Sequence, residues 1–203
     1  FVPPRAGARE GAILITGASG ALGTEVAQYL VAAHRFQRVL LCSRRGESAP
    51  GASALKLEIE ALGAEVSFHR CDLGNRDAVS NLLQTSADGV PLRGIVHCAG
   101  VLDDGLIAQM GPDRLDRVMR GKVLGALHLH ELSRDLPLDF FVLFSSISAQ
   151  WGMPGQSGYA AANGILDALA RVRRSEGLPG QSISWGAWGG VGMAARLAEV
   201  DRT

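Results

Sequence analysis

Apolar residues along the chain fall into two alternating patterns. Short runs that are apolar at nearly every position occupy 12–16 (AILIT), 38–43 (RVLLCS), 65–70 (EVSFHR), 94–99 (GIVHCA), 140–146 (FFVLFSS) and 181–185 (QSISW). Between them, 22–33, 52–62, 76–87, 113–134 and 159–175 carry apolar residues at helical spacing. Strands apolar on both faces, alternating with helices, predict a parallel sheet covered on both sides, which is a Rossmann-like, doubly wound α/β fold. Right-handed crossovers then bring every strand C-terminal end to one edge, where such sheets bind ligands. The opening FVPPRAGARE has no apolar core of a signal peptide and predicts a linker over 1–10, ahead of a folded unit over 11–203. A seventh strand, usual in such sheets, is not visible, so the C-terminus reads as truncated.

Composition narrows the function classes. At 203 residues the chain suits one domain with a substantial core. Lys plus Arg equals Asp plus Glu, 20 against 20, which argues against nucleic acid or an anionic membrane surface as partner. Mean hydropathy is +0.13, yet no run approaches the roughly 20 apolar residues that span a bilayer. Cys42, Cys71 and Cys98 lie 29 and 27 residues apart with no CxxC or His/Cys ligand spacing. They read as buried strand-end thiols, not as a disulfide or metal site, and favour a reducing, cytoplasmic compartment.

Directly after the first strand comes Thr16-Gly17-Ala18-Ser19-Gly20-Ala21-Leu22-Gly23, opening a helix. Glycines at this turn let backbone approach a pyrophosphate and let helix pack on strand, while the helix N-terminus offers free N–H groups. The end of the second strand decides which dinucleotide fits. An acid there would bind the ribose 2′-hydroxyl of NAD; this chain has Ser43-Arg44-Arg45, whose hydroxyl and guanidinium groups suit the 2′-phosphate of NADPH. Asp72 and Leu73 end the third strand, with Asp72 placed to accept from an adenine amino group. After the fourth strand, Ala99 and Gly100 let the chain pass a cofactor closely. His97 before them reads equally as a ligand or as a strand-end histidine satisfied by backbone.

Ser146 closes the fifth strand, and Tyr159 follows thirteen residues later at the start of a helix. Reduction of a carbonyl by hydride needs a proton donor at the oxygen and a second group to hold that oxygen, and a hydroxyl pair supplies both. A tyrosine with pKa near 10 benefits from a neighbouring cation. One turn on, however, position 163 holds asparagine, which carries no charge. The preceding helix contains Gly121-Lys122-Val123-Leu124-Gly125, and Lys122 is the only lysine after Lys56. Arg114, Arg117 and Arg120 around it read as a solvated face indifferent to which cation it carries. Lysine and asparagine have exchanged helices, and the site is rearranged, not broken.

These residues, in the order TGASGALG, LLCSRRG, CDL, HCAGVLDDG, GKVLGA, FSS, PGQSGYAAAN and SISWGAW, resemble the catalytic subdomain of a ketoreductase from a modular polyketide synthase. That family lies within the short-chain dehydrogenase/reductase superfamily, and the resemblance spans about residues 11–198. It implies Tyr159 as proton donor, Ser146 holding the ketone oxygen, Lys122 binding nicotinamide ribose and lowering the tyrosine pKa, and Asn163 supporting the lysine and a water path. It also implies NADPH as cofactor and a β-ketoacyl thioester on an acyl carrier protein as substrate. An N-terminal structural subdomain and neighbouring synthase domains are the implied partners.

The marks for product handedness conflict. Leu102-Asp103-Asp104 is similar to the signature of B-type ketoreductases, which deliver the D (3R) alcohol, and Pro154, five residues before Tyr159, agrees. Trp151, eight residues before Tyr159, stands where A-type enzymes, of opposite hand, have tryptophan. Two marks against one favour B-type, and Ala161 departs from the proline of B-type domains that accept an epimerised α-substituent. The WGAWGGVGMAARL stretch reads as a lid over about 188–199, with Trp188, Met193 and Leu197 facing substrate. Two other functions stay open: a reduction-inactive scaffold or epimerase domain, and a free-standing short-chain reductase.

Overall fold

The structure is a computed structural model that describes residues 11–34, 36–85, 89–186 and 188. The expected linker, Met193, Leu197 and the rest of the lid segment beyond Trp188 lie outside the described residues. Six parallel strands form one sheet in the order β3-β2-β1-β4-β5-β6. They are β1 (Ala12–Thr16), β2 (Arg38–Ser43), β3 (Glu65–Arg70), β4 (Leu92–His97), β5 (Phe140–Ser146) and β6 (Gln181–Trp185). Helices α1 (Ala21–His34) and α2 (Ala52–Ala61) cover one face. On the other lie α3 (Arg76–Thr85), α4 (Pro112–Met119), α5 (Gly125–Leu132) and α7 (Ser157–Ser175), while α6 (Ser148–Trp151) is a single turn after β5. The reversal of strand order at β1/β4 is the topological switch point at which such sheets bind nucleotides.

Alternation along the central strand builds both cores. Ile13 and Ile15 enter the layer with Leu30, Val39, Leu41 and Ile59, whereas Ala12 and Leu14 enter the layer with Leu40, Ile95, Leu129, Phe141 and Leu166. All five β1 residues are buried.

Five strands coincide with the sequence expectation; β4 begins and ends two residues earlier than 94–99. Its first pair, Leu92 on Ala12, precedes a register shift, and Gly94 makes room for the Phe140 ring on β5. Beyond His97 the chain passes close to the Gly17 turn, with the Cys98 N–H donating to the Thr16 carbonyl (3.2 Å). Gly17 has φ +69°, and a Cβ there would lie 2.7 Å from the Ala99 nitrogen.

The helix expected over 113–134 is interrupted. A π-helical turn, Arg120–Leu124, separates α4 from α5 and holds Lys122 at its middle. Such widened turns are rare and gather at functional sites. At the opposite end of the sheet, α7 is anchored by the fully buried Arg173. Its Nε donates to the Pro179 carbonyl (2.7 Å), its Nη1 donates to His130 Nδ1 (3.1 Å), and its guanidinium lies 3.9 Å from the Phe141 ring centroid.

Candidate active site

At the C-terminal edge of β1, the tight Gly17 turn feeds α1. A Cβ at Gly23 would lie 2.6 Å from the Gly17 carbonyl oxygen, so this glycine serves close packing of helix on turn, while Ser19 and Gly20 are exposed at the helix start. Leu22 is half-buried against the core layer of Ile13, Ile15 and Leu30. Two residues expected at the cofactor turn their side chains into the fold. Thr16 is fully buried, with its hydroxyl on His97 Nδ1 (2.7 Å). Leu73 buries its side chain in the core, and its carbonyl accepts from His128 Nδ1 (2.9 Å).

At the end of β2, the Ser43 hydroxyl accepts from the Gly46 N–H (3.0 Å) and shapes a turn that leaves Arg44 and Arg45 exposed. Neither arginine has an ion-pair partner among the described residues. Asp72 accepts from the Gly74 N–H (3.0 Å) and pairs with Arg120 (3.2 Å).

Three of the four residues expected to act together, Lys122, Tyr159 and Asn163, lie against one another, and Ser146 closes strand β5. Lys122 is buried, donates from Nζ to the Phe144 carbonyl on β5 (2.8 Å) and sits 5.4 Å from the Tyr159 ring centroid. Gly100 borders it: a Cβ there would lie 3.5 Å from Nζ. Asn163 is fully buried and donates from Nδ2 to the Tyr159 carbonyl (2.9 Å), and its Oδ1 has no hydrogen-bond partner among the described residues. The two strand-end serines separate cleanly. Ser145 is buried and donates to the Asn163 carbonyl (3.3 Å), whereas Ser146 is half-buried at the edge and accepts from the Ser148 N–H (3.2 Å).

Dehydration governs the charges. Burial lowers the Lys122 pKa from its ordinary value to about 8, against opposing contributions from Cys98 and Asp167. Burial raises the Tyr159 pKa; Asn163 opposes that rise and the Asp104 carboxylate adds to it. The Lys122 ammonium is aimed at the Phe144 carbonyl, and burial disfavours the charged forms of both Lys122 and Tyr159. His97, left open by the sequence, is wholly buried and bonded on both ring nitrogens, to Thr16 and to the Lys122 carbonyl (2.8 Å).

The mouth of the site is built from two loops and α6. Asp103 is clamped by Arg114 (2.6 Å) and Arg117 (2.6 Å), which hold its carboxyl below the usual range. Arg114 and Arg117 thus pair with Asp103, and Arg120 with Asp72, while Arg117 and Arg120 keep the solvent exposure expected of them. Asp104 accepts from Gln156 Nε2 (2.8 Å), and the Gly105 N–H donates to the Gly155 carbonyl (2.8 Å). Pro154 is exposed in the same loop, and Trp151 on α6 is 80% exposed. Trp188 packs edge-on against Trp185 with centroids 4.9 Å apart. Sequence reasoning missed Arg114, Arg117 and Gln156; arginines three apart, eleven and fourteen residues after an aspartate, were the available signal. Among the described residues no cluster of His, Cys, Asp and Glu could hold a metal, and no helix is long and apolar enough to cross a membrane.

A serine, tyrosine, lysine and asparagine gathered at the ligand edge of a doubly wound parallel sheet that opens with a glycine-rich turn define a domain of the short-chain dehydrogenase/reductase type. The family model of the KR domain matches residues 11–190. The chain belongs to that family, the ketoreductase domains of modular polyketide synthases.

Among the relatives, the spectinabilin polyketide synthase system protein NorA' of Streptomyces orinoci is 46% identical over 200 residues, covering 98% of this chain and 6% of that protein. Mycoketide-CoA synthase of Mycobacterium tuberculosis is 46% identical over 192 residues, covering 94% of this chain and 5% of its own length. Among solved structures, A-type ketoreductases from a modular polyketide synthase superpose with a TM-score of 0.90 at 45% identity, over 99% of this chain and 42% of theirs. The first ketoreductase of the tylosin synthase gives 0.84 at 47% identity, over 91% of this chain and 40% of its own. The chain thus spans a small part of its curated relatives and less than half of these solved chains.

Proposed function

We propose that this domain reduces a β-ketoacyl thioester, carried on an acyl carrier protein, to the β-hydroxyacyl thioester with NADPH, and that the alcohol is of D (3R) configuration. The observation carrying the reading is the convergence of Tyr159, Lys122 and Asn163 beside the strand end of Ser146. The Gly17 turn, where any side chain would strike Ala99, and the N-terminus of α1 fit a pyrophosphate. Arg44 and Arg45 fit a 2′-phosphate, and Gly100 beside Lys122 leaves room for the nicotinamide ribose. The cofactor supplies the hydride.

The chain's own residues supply the rest. The Ser146 and Tyr159 hydroxyls hold the ketone oxygen, and the tyrosine proton moves to that oxygen as negative charge develops on it. A raised tyrosine pKa keeps the hydroxyl protonated until that moment. Lys122 supplies positive charge that stabilises the phenolate left behind, and the open Oδ1 of Asn163 orients the ammonium or a proton-carrying water. An N-terminal structural subdomain and the neighbouring synthase domains complete the working unit, in the cytoplasm.

The 3R reading rests on the Asp103/Asp104 loop and Pro154. A 3S outcome is the second reading, favoured by Trp151 at the site mouth and by likeness to A-type structures. The test uses the complete domain, NADPH and a racemic 2-methyl-3-ketoacyl thioester, with chiral chromatography. We expect a dominant 3R alcohol and a loss of at least about 100-fold in Tyr159→Phe. A dominant 3S alcohol overturns the handedness alone. Absence of alcohol, identical in Tyr159→Phe, overturns the reductase and favours a scaffold or epimerase.

A further inference from the structure

We propose that His97 is a positioning residue for Lys122: its Nε2–H holds the Lys122 carbonyl inside the π-helical turn, and the Thr16 hydroxyl fixes the ring in the tautomer that can do so. The inference rests on Lys122 acting as proposed above. A carbonyl only accepts, so the 2.8 Å contact to the Lys122 oxygen requires the proton on Nε2. Nδ1 is then an acceptor, and the Thr16 hydroxyl at 2.7 Å is its donor. Both contacts are buried, where an unmet polar group is costly, so the two partners specify one ring orientation. Burial also lowers the His97 pKa to about 4, which keeps the ring neutral at working pH and excludes it from proton transfer.

The turn it grips needs such a tie. A π-helical turn carries one residue more than the α-helix it interrupts, and closing it to α register rotates the following residues by about 100°. That rotation carries Nζ away from Tyr159. Within the turn the Lys122 carbonyl receives the Gly125 N–H; from the sheet it receives only His97 among the described residues. Gly125 gives an independent indication. A Cβ there would lie 3.4 Å from His97 Cε1 and 2.8 Å from the Leu73 Cβ, so the small residue leaves the imidazole its place. The chain Thr16–His97–Lys122 also joins the residue before the Gly17 turn to the lysine, coupling the pyrophosphate end of the site to its proton-transfer end.

The experiment compares His97→Leu, His97→Gln and His97→Asn in the complete domain, with Lys122→Met as control. A glutamine amide reaches the position of Nε2, whereas an asparagine amide reaches only that of Nδ1. We expect kcat to fall by about 100-fold in His97→Leu and His97→Asn and to return to within about 5-fold of native in His97→Gln. The alkaline limb of the kcat–pH profile, which a merely structural loss leaves in place, moves by about one pH unit in His97→Leu and is restored by glutamine. Equal activity of the Gln and Asn variants, or an unmoved limb, overturns the proposal. If His97→Leu does not fold, the Gln/Asn pair decides. Native activity in Lys122→Met overturns the lysine reading and this one with it, whereas an inactive Lys122→Met beside a fully active His97→Leu overturns this one alone.

Discussion

Lys122 places a charge where the fold disfavours one, and Lys122→Met measures by how much. The lysine pKa falls from 10.5 to about 8 on burial. The folded value lies below the unfolded one, so below about pH 8 both states hold the proton and the folded state bears the full penalty. Between about 8 and 10.5 only the unfolded chain keeps the proton, and the penalty fades as pH rises. At about 1.4 kcal/mol per pKa unit the penalty is about 3 kcal/mol at pH 7 and less than half of that at pH 9.5. Methionine has a similar length and no charge, but it forfeits the bond to the Phe144 carbonyl, worth about 1 kcal/mol.

The net expectation is a variant about 2 kcal/mol more stable than native at pH 7, with most of that advantage gone at pH 9.5. A chain of this size then gains about 4–8 °C in Tm at the lower pH. Urea denaturation of the domain without nucleotide, at both pH values, is the assay, and reductase activity is lost in the same variant. A variant no more stable than native at pH 7, or an advantage that does not shrink by pH 9.5, refutes the reasoning.

Replacing both Arg44 and Arg45 by alanine weakens NADPH binding by about 10–100-fold in a fluorescence titration and leaves NADH binding unchanged, since only the 2′-phosphate loses its partners. Arg173→Ala unfolds at markedly lower urea, costing about 3–5 kcal/mol, because Pro179, His130 and Phe141 lose a common partner in a buried place; a loss under about 1 kcal/mol refutes that role. The Asp103 carboxyl is depressed by Arg114 and Arg117, so its contribution is present above the ordinary carboxylate pKa and is lost as pH falls through the lowered folded value. Asp103→Asn therefore erodes product handedness at pH 7, whereas the native domain keeps its handedness until strongly acid pH; unchanged handedness in the variant refutes the clamp.

Period and length carried most of the architecture in the sequence. A short run such as AILIT, bounded by glycines and buried at every position, belongs in a sheet covered on both faces, and β1 lies there. The start of β4 was not legible, because Arg93 interrupts the apolar run and finds its place through an ion pair with Asp139. Nor was the π-helical turn, since its residues, RGKVL, are of the same types as those of the α-helix around it. Lys122 was legible as a lone lysine among arginines. Its nearest supports were not: Thr16 looks like part of the nucleotide loop, and only the register of β1 on β4, which pairs it with His97, shows that its hydroxyl has another use. Local sequence shows which groups are present; partners 81 and 25 residues away are set by sheet order.

The bonds from Gln156 to Asp104 and from Gly105 to Gly155 make the two loops at the site mouth a single mechanical part. Leu102-Asp103-Asp104 and Pro154 are then one vote on handedness, not two, with Trp151 on its own helical turn as a separate voice. A graft that moves only one of these loops into another ketoreductase separates matched halves, whereas exchange of 102–106 together with 154–156 keeps both cross-bonds within the transplanted part.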